Sequence, residues 1–451
     1  MVTNMISVSN RPVDVSVDVS GDHGRRIESQ RDVSPGDLML RVSPYAVVLL
    51  PELWGSHCHK CFGSKTRPSR CGRCQTAFYC SKACQQVDWQ VNHRKECNSL
   101  KQLAQCGLRN DQVMDVLLLG RVLRREDKEE LKPQELVWYD EDMKDHELIL
   151  LAALAQRMKL VHESYSMDQM LRMLSRFRNN NFSICDELLL ELGAGCFPLA
   201  AMINHSCDPN CAITFVSKTL DMEIRAMKPI KSGEEITQTY VDIALPRRER
   251  QQRLQRKYHF CCKCARCSQP FQDPGSLDAF LDADIDGVPQ ELWTQERQDE
   301  VEQALQNASS VTNCVTNQAT SAKQQQQCIT ALETLAEHEG RILHRDNIAR
   351  LQTFSALFSA EMERGSVEVA SKYGERMLEF YKRVYSSNHP VTGLHLFTLG
   401  DLYGQLNLTG PGVVHYKTKS LEYLAEAQRI LGITHGKDHY FVKMLGDRLG
   451  R

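Results

Sequence analysis

The chain has 451 residues and a formal net charge of -2. That is too long for one core of average size, so two or three domains are expected, and too balanced for a protein that binds polyanions over its whole surface. Its eighteen cysteines cluster in C-x2-C and C-x-C steps, and no segment has the basic, apolar and small-residue layout of a signal peptide. Metal thiolates in a reducing compartment therefore fit better than a secreted disulfide framework. No apolar run reaches the ~18 residues of a membrane helix, which predicts a soluble protein. Asn-x-Ser/Thr tripeptides such as Asn307-Ala308-Ser309 then read as chance rather than as glycan sites.

Residues 1–20 are polar, with a Val-Asp-Val-Ser alternation that reads as a frayed tail or a weak edge strand. From Gly24 to Leu50, short alternating runs such as Asp37-Leu38-Met39-Leu40-Arg41-Val42 predict strands, with a turn at Pro35-Gly36. Next comes a ladder of eight metal-ligand residues, Cys58, Cys61, Cys71, Cys74, Cys80, Cys84, His93 and Cys97. Residues 102–180 are helical in pattern, with apolar faces at Val116, Leu119 and Val122, at Leu148–Leu154 and at Met167–Leu174. Strand and loop character returns between Leu188 and Tyr240, ending in a second cysteine cluster at Cys262–Cys267. A linker follows with Asp273-Pro274-Gly275 and the acidic stretch Asp278–Asp286. Beyond it the chain carries helical spacings, for example Leu396, Leu399, Tyr403 and Leu406, then Leu424, Ala427 and Leu431, read as stacked helix pairs without a regular period. Gln324–Gln327 reads as a solvated helix face. His389 and His435 lie at turn signals without metal-compatible partners and are assigned as turn residues.

The ladder has the spacing C-x2-C-x9-C-x2-C-x5-C-x3-C-x8-H-x3-C, which supplies two tetrahedral zinc sites. The order suggests interleaving, Cys58, Cys61, Cys80 and Cys84 at one metal and Cys71, Cys74, His93 and Cys97 at the other, with consecutive pairing as the competing arrangement. Both sites are filled by protein ligands, so the zinc is structural. Residues 57–101 hold nine Lys or Arg against Asp88 and Glu96, a local charge of about +7. That favours an acidic or nucleic-acid partner, against the plain reading of solvated surface charge.

The ladder, with Tyr79 before Cys80, Trp89 between the last clusters and His93-Arg94-Lys95-Glu96-Cys97 closing it, resembles a MYND zinc finger. Asn204-His205-Ser206-Cys207-Asp208-Pro209-Asn210-Cys211, then Gly233-Glu234-Glu235-Ile236-Thr237 running into Tyr240, then Cys262-x-Cys264-x2-Cys267, resemble the core and post-SET motifs of SET-domain lysine methyltransferases. Together they resemble the SET and MYND domain-containing family of protein lysine methyltransferases over nearly the whole chain.

The resemblance implies an α+β fold: a β-rich SET domain split by the MYND finger, a post-SET zinc cluster, and an all-α TPR-like C-terminal domain packed back over the core. The implied boundaries are a tail at 1–20, the first SET part at 21–57, the finger at 58–97, a helical insert at 98–178, the SET core at 179–242, the post-SET segment at 243–270, a linker at 271–290 and the helical domain at 291–451. The implied activity is methyl transfer from S-adenosylmethionine to lysine ε-amines of histone or non-histone proteins. That chemistry needs a neutral amine from a group whose free pKa is about 10.4, which an aromatic channel with a tyrosine hydroxyl promotes.

By resemblance Tyr240 and Tyr258 match the channel tyrosines, with Tyr240 the catalytic one, and Phe182 and Phe260 match aromatic positions near the lysine and the cofactor. Gly24, Arg25, Asn180, Asn204, His205, Tyr240 and Phe260 are the implied cofactor contacts. Cys207, Cys262, Cys264 and Cys267 are the implied ligands of a third zinc, with Cys211 and Cys261 flanking them as spare thiols and an exchange between Cys261 and Cys262 conceivable. The implied partners are protein substrates, with proline-rich or acidic proteins or nucleic acid at the finger, for a monomer in cytoplasm and nucleus. Two departures matter. The expected Gly-x-Gly appears as Gly24-Arg25-Arg26, and Lys144 in Trp138-Tyr139-Asp140-Glu141-Asp142-Met143-Lys144 stands where relatives carry asparagine. They raise the alternative of a non-catalytic scaffold that has lost the cofactor.

Overall fold

The computed structural model describes residues 15–21, 24–125, 132–270, 276–303, 322–409 and 413–450. Asp273-Pro274-Gly275 and Asn307-Ala308-Ser309 lie outside the described residues. The chain divides into two compact units. The first comprises the described parts of Met1–Val33, Asp37–Asn204 and Ile213–Ile236, and the second those of Ser34–Gly36, His205–Ala212 and Thr237–Arg451.

The first unit is built on small antiparallel sheets. Strand β1 (Val15–Gly21) pairs with β2 (Gly24–Ser29), Val17 opposite Ile27. Of the two readings of the tail, its second half is therefore the strand. Gly36 has φ 96, the left-handed region that glycine enters without steric cost. The turn it makes delivers β3 (Leu38–Val42), which pairs with the strand Met222–Ala226 so that Leu40 faces Ile224, both buried. β4 (Ala46–Leu49) lies beside a strand reached only after the inserted modules.

The first insertion is the finger, with β5 (Ser69–Arg70) and β6 (Phe78–Tyr79) as a hairpin. One long helical stretch follows: α1 (Lys82–Asp88), capped by Ser81 through its bond from the Cys84 N–H, a π turn at Trp89–His93, and α2 (Arg94–Leu103). The second insertion is helical. α3 (Asn110–Arg124) is buried around most of its circumference, with Val116, Leu119 and Val122 at 1 % exposure or less. A helix apolar on most sides belongs inside a core. α4 (His146–Arg157) is capped by Asp145, and α5 (Met167–Asn180) by a Ser166–Gln169 capping box, each side chain accepting from the other's backbone N–H. α5 buries Met170, Leu171, Met173 and Leu174 while Met167 stays outside.

The end of α5 runs into β7 (Asn181–Cys185), which pairs with β8 (Glu191–Cys196) in the order β4-β8-β7. The sheet is tight enough that a Cβ on Gly193 would meet the Val48 carbonyl oxygen at 2.1 Å and a ring carbon of Phe62 at 3.0 Å. Phe62, a finger residue with φ 57, is thus packed into the face of this sheet.

The finger is fastened by a buried carboxylate. Glu96 has no exposed surface and receives Arg121 through Nε and Nη2 at 3.0 and 2.8 Å and Arg124 at 2.5 Å, while Arg121 also donates to the Val47 carbonyl on β4. These cations hold its carboxyl below the usual carboxylate range against the opposing effect of burial, which is the largest single influence on it. Removing one partner of such a cluster strands the others in a low dielectric.

The second unit is mostly helical after residue 246. Helices Ile348–Arg364, Val367–Val384, Pro390–Thr409, Val413–Thr434 and Tyr440–Arg448 pack in succession. Leu396, Leu399, Leu424, Ala427 and Leu431 share one core, and Tyr403 and Leu406 are also buried. Gln324, Gln326 and Gln327 are exposed on the helix Ala322–Ile342. His389 and His435 belong to no metal-like group among the described residues. In the described part of the expected acidic linker Leu281 and Ala283 are fully buried and Asp278 is 1 % exposed, while Leu277, Ile285 and Val288 are exposed. Among the described residues no helix is long and apolar enough to cross a membrane.

Two outcomes follow from these buried carboxylates. Glu96→Ala is expected to cost about 3–5 kcal/mol, read as a lower urea midpoint for the first unit. Glu339 faces Thr353, which donates to Oε1 at 3.0 Å, while Oε2 is buried with no partner among the described residues; burial pushes the carboxyl up to about 7. The folded state therefore holds this proton more tightly than the unfolded chain, where it leaves near pH ~4.3. The stabilisation is complete below that pH and is lost as pH rises through about 7. Glu339→Gln should raise stability at pH 8 by on the order of 2 kcal/mol and change little at pH 4, measured by urea unfolding at the two pH values.

Candidate functional site

The cysteine ladder closes into two groups. Cys58, Cys61, Cys80 and Cys84 form one, and Cys71, Cys74, His93 and Cys97 the other, with the ligand atoms of each within 4.8 Å of one another. The interleaved order is the one present. Its local basis is the long finger helix: Cys84 in its first turn serves one group, and His93 and Cys97, one helical turn apart on one face, serve the second. The intervening π turn inserts the extra residue that sets their phase. Tyr79 donates its hydroxyl to Asp88 at 2.8 Å, and both are buried. Since Glu96 is buried as well, both acids of the finger are withdrawn from its surface. None of its nine Lys or Arg forms an ion pair among the described residues.

A third group joins Cys207, Cys262, Cys264 and Cys267, again within 4.8 Å. Cys262, not Cys261, is the member: the Cys261 thiol is exposed and donates to Gln255 Oε1 at 3.3 Å. The sets are thiolates, with one borderline imidazole from His93 and no carboxylate among them, which fits zinc.

Arg250, on the helix Arg247–Tyr258, has no exposed surface; its Nε lies 3.1 Å from Cys207 Sγ and its two terminal nitrogens grip the Asp278 carboxylate at 2.7 Å each. Arg266 reaches the same carboxylate at 2.9 Å and Arg247 at 3.5 Å. The bidentate fork and the thiolate contact neutralise an anionic cluster that burial would otherwise penalise. These residues were not anticipated. Arg250 sits in a charged run, Arg247-Arg248-Glu249-Arg250, and Asp278 in the acidic stretch that reads as a linker; neither run singles out these two residues as partners.

His205 links this group to the aromatic residues. Its Nδ1 accepts from the Tyr240 backbone N–H at 3.0 Å, which leaves the proton on Nε2, 3.2 Å from Cys207 Sγ. Burial lowers its pKa to about 4, so the ring is neutral. The Tyr240 and Tyr258 rings lie 4.8 Å apart and Phe260 crosses Tyr240 edge-on at 6.4 Å. All three pack beside Cys207, Cys262 and Leu254. Tyr240, Tyr258, His205 and Phe260 are thus brought together in the second unit.

The expected residues of the first unit are placed differently. Phe182 on β7 crosses Phe197 at 90° with centroids 5.9 Å apart. Asn180 donates through Nδ2 to the carbonyls of Val137 and Arg176, and Arg25 donates to the carbonyl of Glu135 at 2.5 Å. With Arg176 on the carbonyls of Gln134 and Leu136, these side chains strap down residues 134–137. Both donors of Asn180 are therefore spent on backbone, and Arg25 commits one terminal nitrogen to it. Buried acceptors without partners among the described residues occur instead at Asn179 Oδ1 and Asn181 Oδ1, on either side of Asn180. Orphaned acceptors of this kind fit a ligand with N–H donors.

Asn204 donates to the Arg25 carbonyl at 2.9 Å and to Glu235 Oε1 at 2.8 Å. Gly24 opens β2 opposite Gly21. Of the two sequence departures, Arg26 pairs along the strand with Glu28 at 2.7 Å, and Lys144 is exposed while its neighbour Asp142 is buried against Ser175 and Arg178.

The fold and these motifs define a SET-domain protein: the family model for the SET domain matches residues 24–241. The chain is 28% identical to the histone-lysine N-methyltransferase ASHR1 of Arabidopsis thaliana, over 94% of this chain and 92% of that protein. It is 27% identical to the N-lysine methyltransferase SMYD2 of Mus musculus, over 94% and 95%, and 27% identical to the histone-lysine N-methyltransferase SMYD3 of Homo sapiens, over 96% of each. Over nearly its whole length the chain is thus similar to lysine methyltransferases of the SET and MYND domain-containing family.

Asp278→Asn removes the negative charge that holds Arg250 beside Cys207. It is expected to speed loss of metal from the Cys207 group by about tenfold, followed with a chromogenic chelator as one fast equivalent above the finger's slower release. A release curve identical to that of the unchanged protein would contradict the role given to this clamp.

Proposed function

We propose that the chain transfers a methyl group from S-adenosylmethionine to the ε-amine of lysine in histone or non-histone proteins. The observation that carries this reading is the Tyr240, Tyr258 and Phe260 ring cluster, fixed by His205 to the Cys207 group, in a chain whose relatives are lysine methyltransferases along their whole length. When bound, S-adenosylmethionine would supply a methyl carbon activated by its sulfonium, to be taken by a neutral amine in line as the C–S bond breaks and S-adenosylhomocysteine leaves.

The work of this chain's residues is to prepare that amine. Packed aromatic rings exclude water and disfavour the ammonium form, lowering the pKa of an entering lysine. The Tyr240 hydroxyl is the polar group assigned to orient the nitrogen lone pair, and Tyr258 and Phe182 are assigned to the channel wall. The backbone bond from Tyr240 to His205 fixes where that hydroxyl stands, since the imidazole is itself held by a thiolate. Gly24, Arg25, Asn180, Asn204, His205, Tyr240 and Phe260 are assigned to the cofactor. For Arg25 and Asn180 the assignment passes through the strapped segment, because their side chains hold it rather than pointing a free donor at a ligand. The three soft-donor groups are assigned to three zinc ions, each structural because its four protein donors leave no open position.

Calorimetric titration of the purified protein with S-adenosylmethionine should give saturable binding, and its absence at high micromolar ligand would sink the enzymatic reading. Tyr240→Phe should lower turnover by about 10² or more while cofactor affinity is held within about twofold. Full turnover in that variant would remove the role given to the hydroxyl.

A further inference from the structure

We propose that a tyrosine-walled corner of the second unit is a binding site for the dimethylated ammonium of another protein's lysine, with the chain's own Lys419 as its displaceable occupant. The inference goes beyond the methyl-transfer reading and does not depend on it, because neither the cofactor nor the Cys207 group takes part.

Three helices make the corner. Val413–Thr434 carries Tyr416, Lys419 and Tyr423 at i, i+3 and i+7, so the three stand on one face. Pro390–Thr409 supplies Tyr403, and Val367–Val384 supplies Glu375. The Tyr403 ring lies 6.0 Å from that of Tyr416 and 5.7 Å from that of Tyr423, tilted by 41° and 50°. The rings are therefore walls and not a stack. Lys419 Nζ stands 4.9 Å over the Tyr403 ring and donates to Glu375 Oε1 at 2.6 Å and to the Tyr403 hydroxyl at 3.4 Å. The Tyr403 and Tyr423 hydroxyls donate to the same Oε1 at 2.8 and 3.0 Å. A cation over an aromatic face, backed by a carboxylate, is an arrangement that holds alkylammonium ions. The walls are preformed by close helix packing: Ser420 donates to the Gly400 carbonyl at 2.7 Å, and a Cβ on Gly400 would meet the Leu424 side chain at 2.7 Å.

Two observations point to a ligand from outside. All three donors converge on Oε1, whereas Glu375 Oε2 accepts from nothing among the described residues. The Lys419 and Glu375 side chains are also 29 % and 31 % exposed. An ion pair so open to water is weak, and vacating it costs an incoming ligand about fivefold in affinity at most. An unmodified lysine has no advantage over the tethered one it would replace. Methylation alters the balance, since the charge stays while the larger, less hydrated cation covers more of the ring faces. A dimethylated nitrogen keeps one N–H for Oε2, and a trimethylated one keeps none.

The test uses the full chain without cofactor and a fluorescein-labelled pentapeptide with lysine between alanines, followed by anisotropy. Its lysine is unmodified, dimethylated, trimethylated or acetylated, and tetramethylammonium serves as a competitor. The dimethylated peptide should bind at least about tenfold more tightly than the unmodified one. Lys419→Ala should strengthen that binding about threefold to fivefold by removing the internal competitor. A lysine channel at Tyr240 would show no such gain. Tyr416→Leu, at a half-buried position, should remove the preference for the dimethylated peptide.

If Lys419→Ala leaves the affinity unchanged or lowers it, or if Tyr416→Leu keeps the preference, the cluster is a structural ion pair and the inference fails. Equal binding of the acetylated peptide overturns the cation reading, and equal binding of the trimethylated one overturns the part given to Oε2. Tetramethylammonium that competes at the peptide's own affinity overturns the lysine assignment in favour of a small free cation. Should Lys419→Ala not fold, as judged by its thermal transition, Tyr416→Leu decides: loss of the preference supports the corner and its retention overturns it. No binding of the dimethylated peptide to either the unchanged protein or Lys419→Ala overturns the proposal outright.

Discussion

A carboxylate taken out of water is held most firmly where cations come to it, and each unit of this chain contains a carboxylate gripped by arginines beside a metal group. In the second unit Asp278 gathers Arg250, Arg266 and Arg247, and Arg250 passes the contact on to Cys207. In the first, Glu96 gathers Arg121 and Arg124 one residue away from Cys97, and Arg121 passes the contact on to β4. Metal groups of this size have little apolar surface of their own. The buried ion clusters give them a directional hold that burial alone would not provide, because an arginine fork matches a carboxylate in only a few geometries.

The same logic orders the aromatic residues. Tyr240, Tyr258 and Phe260 could pack in several ways by dispersion alone, since ring pairs of this kind are worth only about 0.5–1.5 kcal/mol each. His205 removes that freedom. One ring nitrogen takes the Tyr240 backbone N–H and the other meets Cys207, so rotation of the imidazole would break a bond at each end. The chemistry assigned to Tyr240 thus depends on metal ligands that never meet substrate.

Much of this was legible in the residue order, and the part that was not has a common cause. The metal ligands could be read because thiolate spacing is a local code, and the helical second unit because Leu396, Leu399, Leu424 and Leu431 recur at helical intervals. The interleaving was open until geometry chose it. The burial of Glu96, Arg250 and Asp278 was not legible because single charged residues look alike whether they are solvated or buried; what distinguishes Asp278 from its neighbours is an arginine far away in sequence. Asn180 and Arg25 show the converse. Their positions match a motif, yet their donors turn to backbone carbonyls of residues 135 and 137, a use that no spacing announces.

The order in which the sheet is assembled gives β4 a further significance. Residues 46–49 are synthesised well before their ladder partner at 193–196, and the finger and the helices emerge in between. A strand waiting that long with an open edge is the kind of segment that mispairs or aggregates. The Arg121 guanidinium, held by Glu96, takes the Val47 carbonyl while β8 is also in place, so it covers part of the edge of β4 that β8 leaves open. Closure of the finger around its metals would then decide when that outer edge is covered, tying zinc loading to folding yield as well as to final stability.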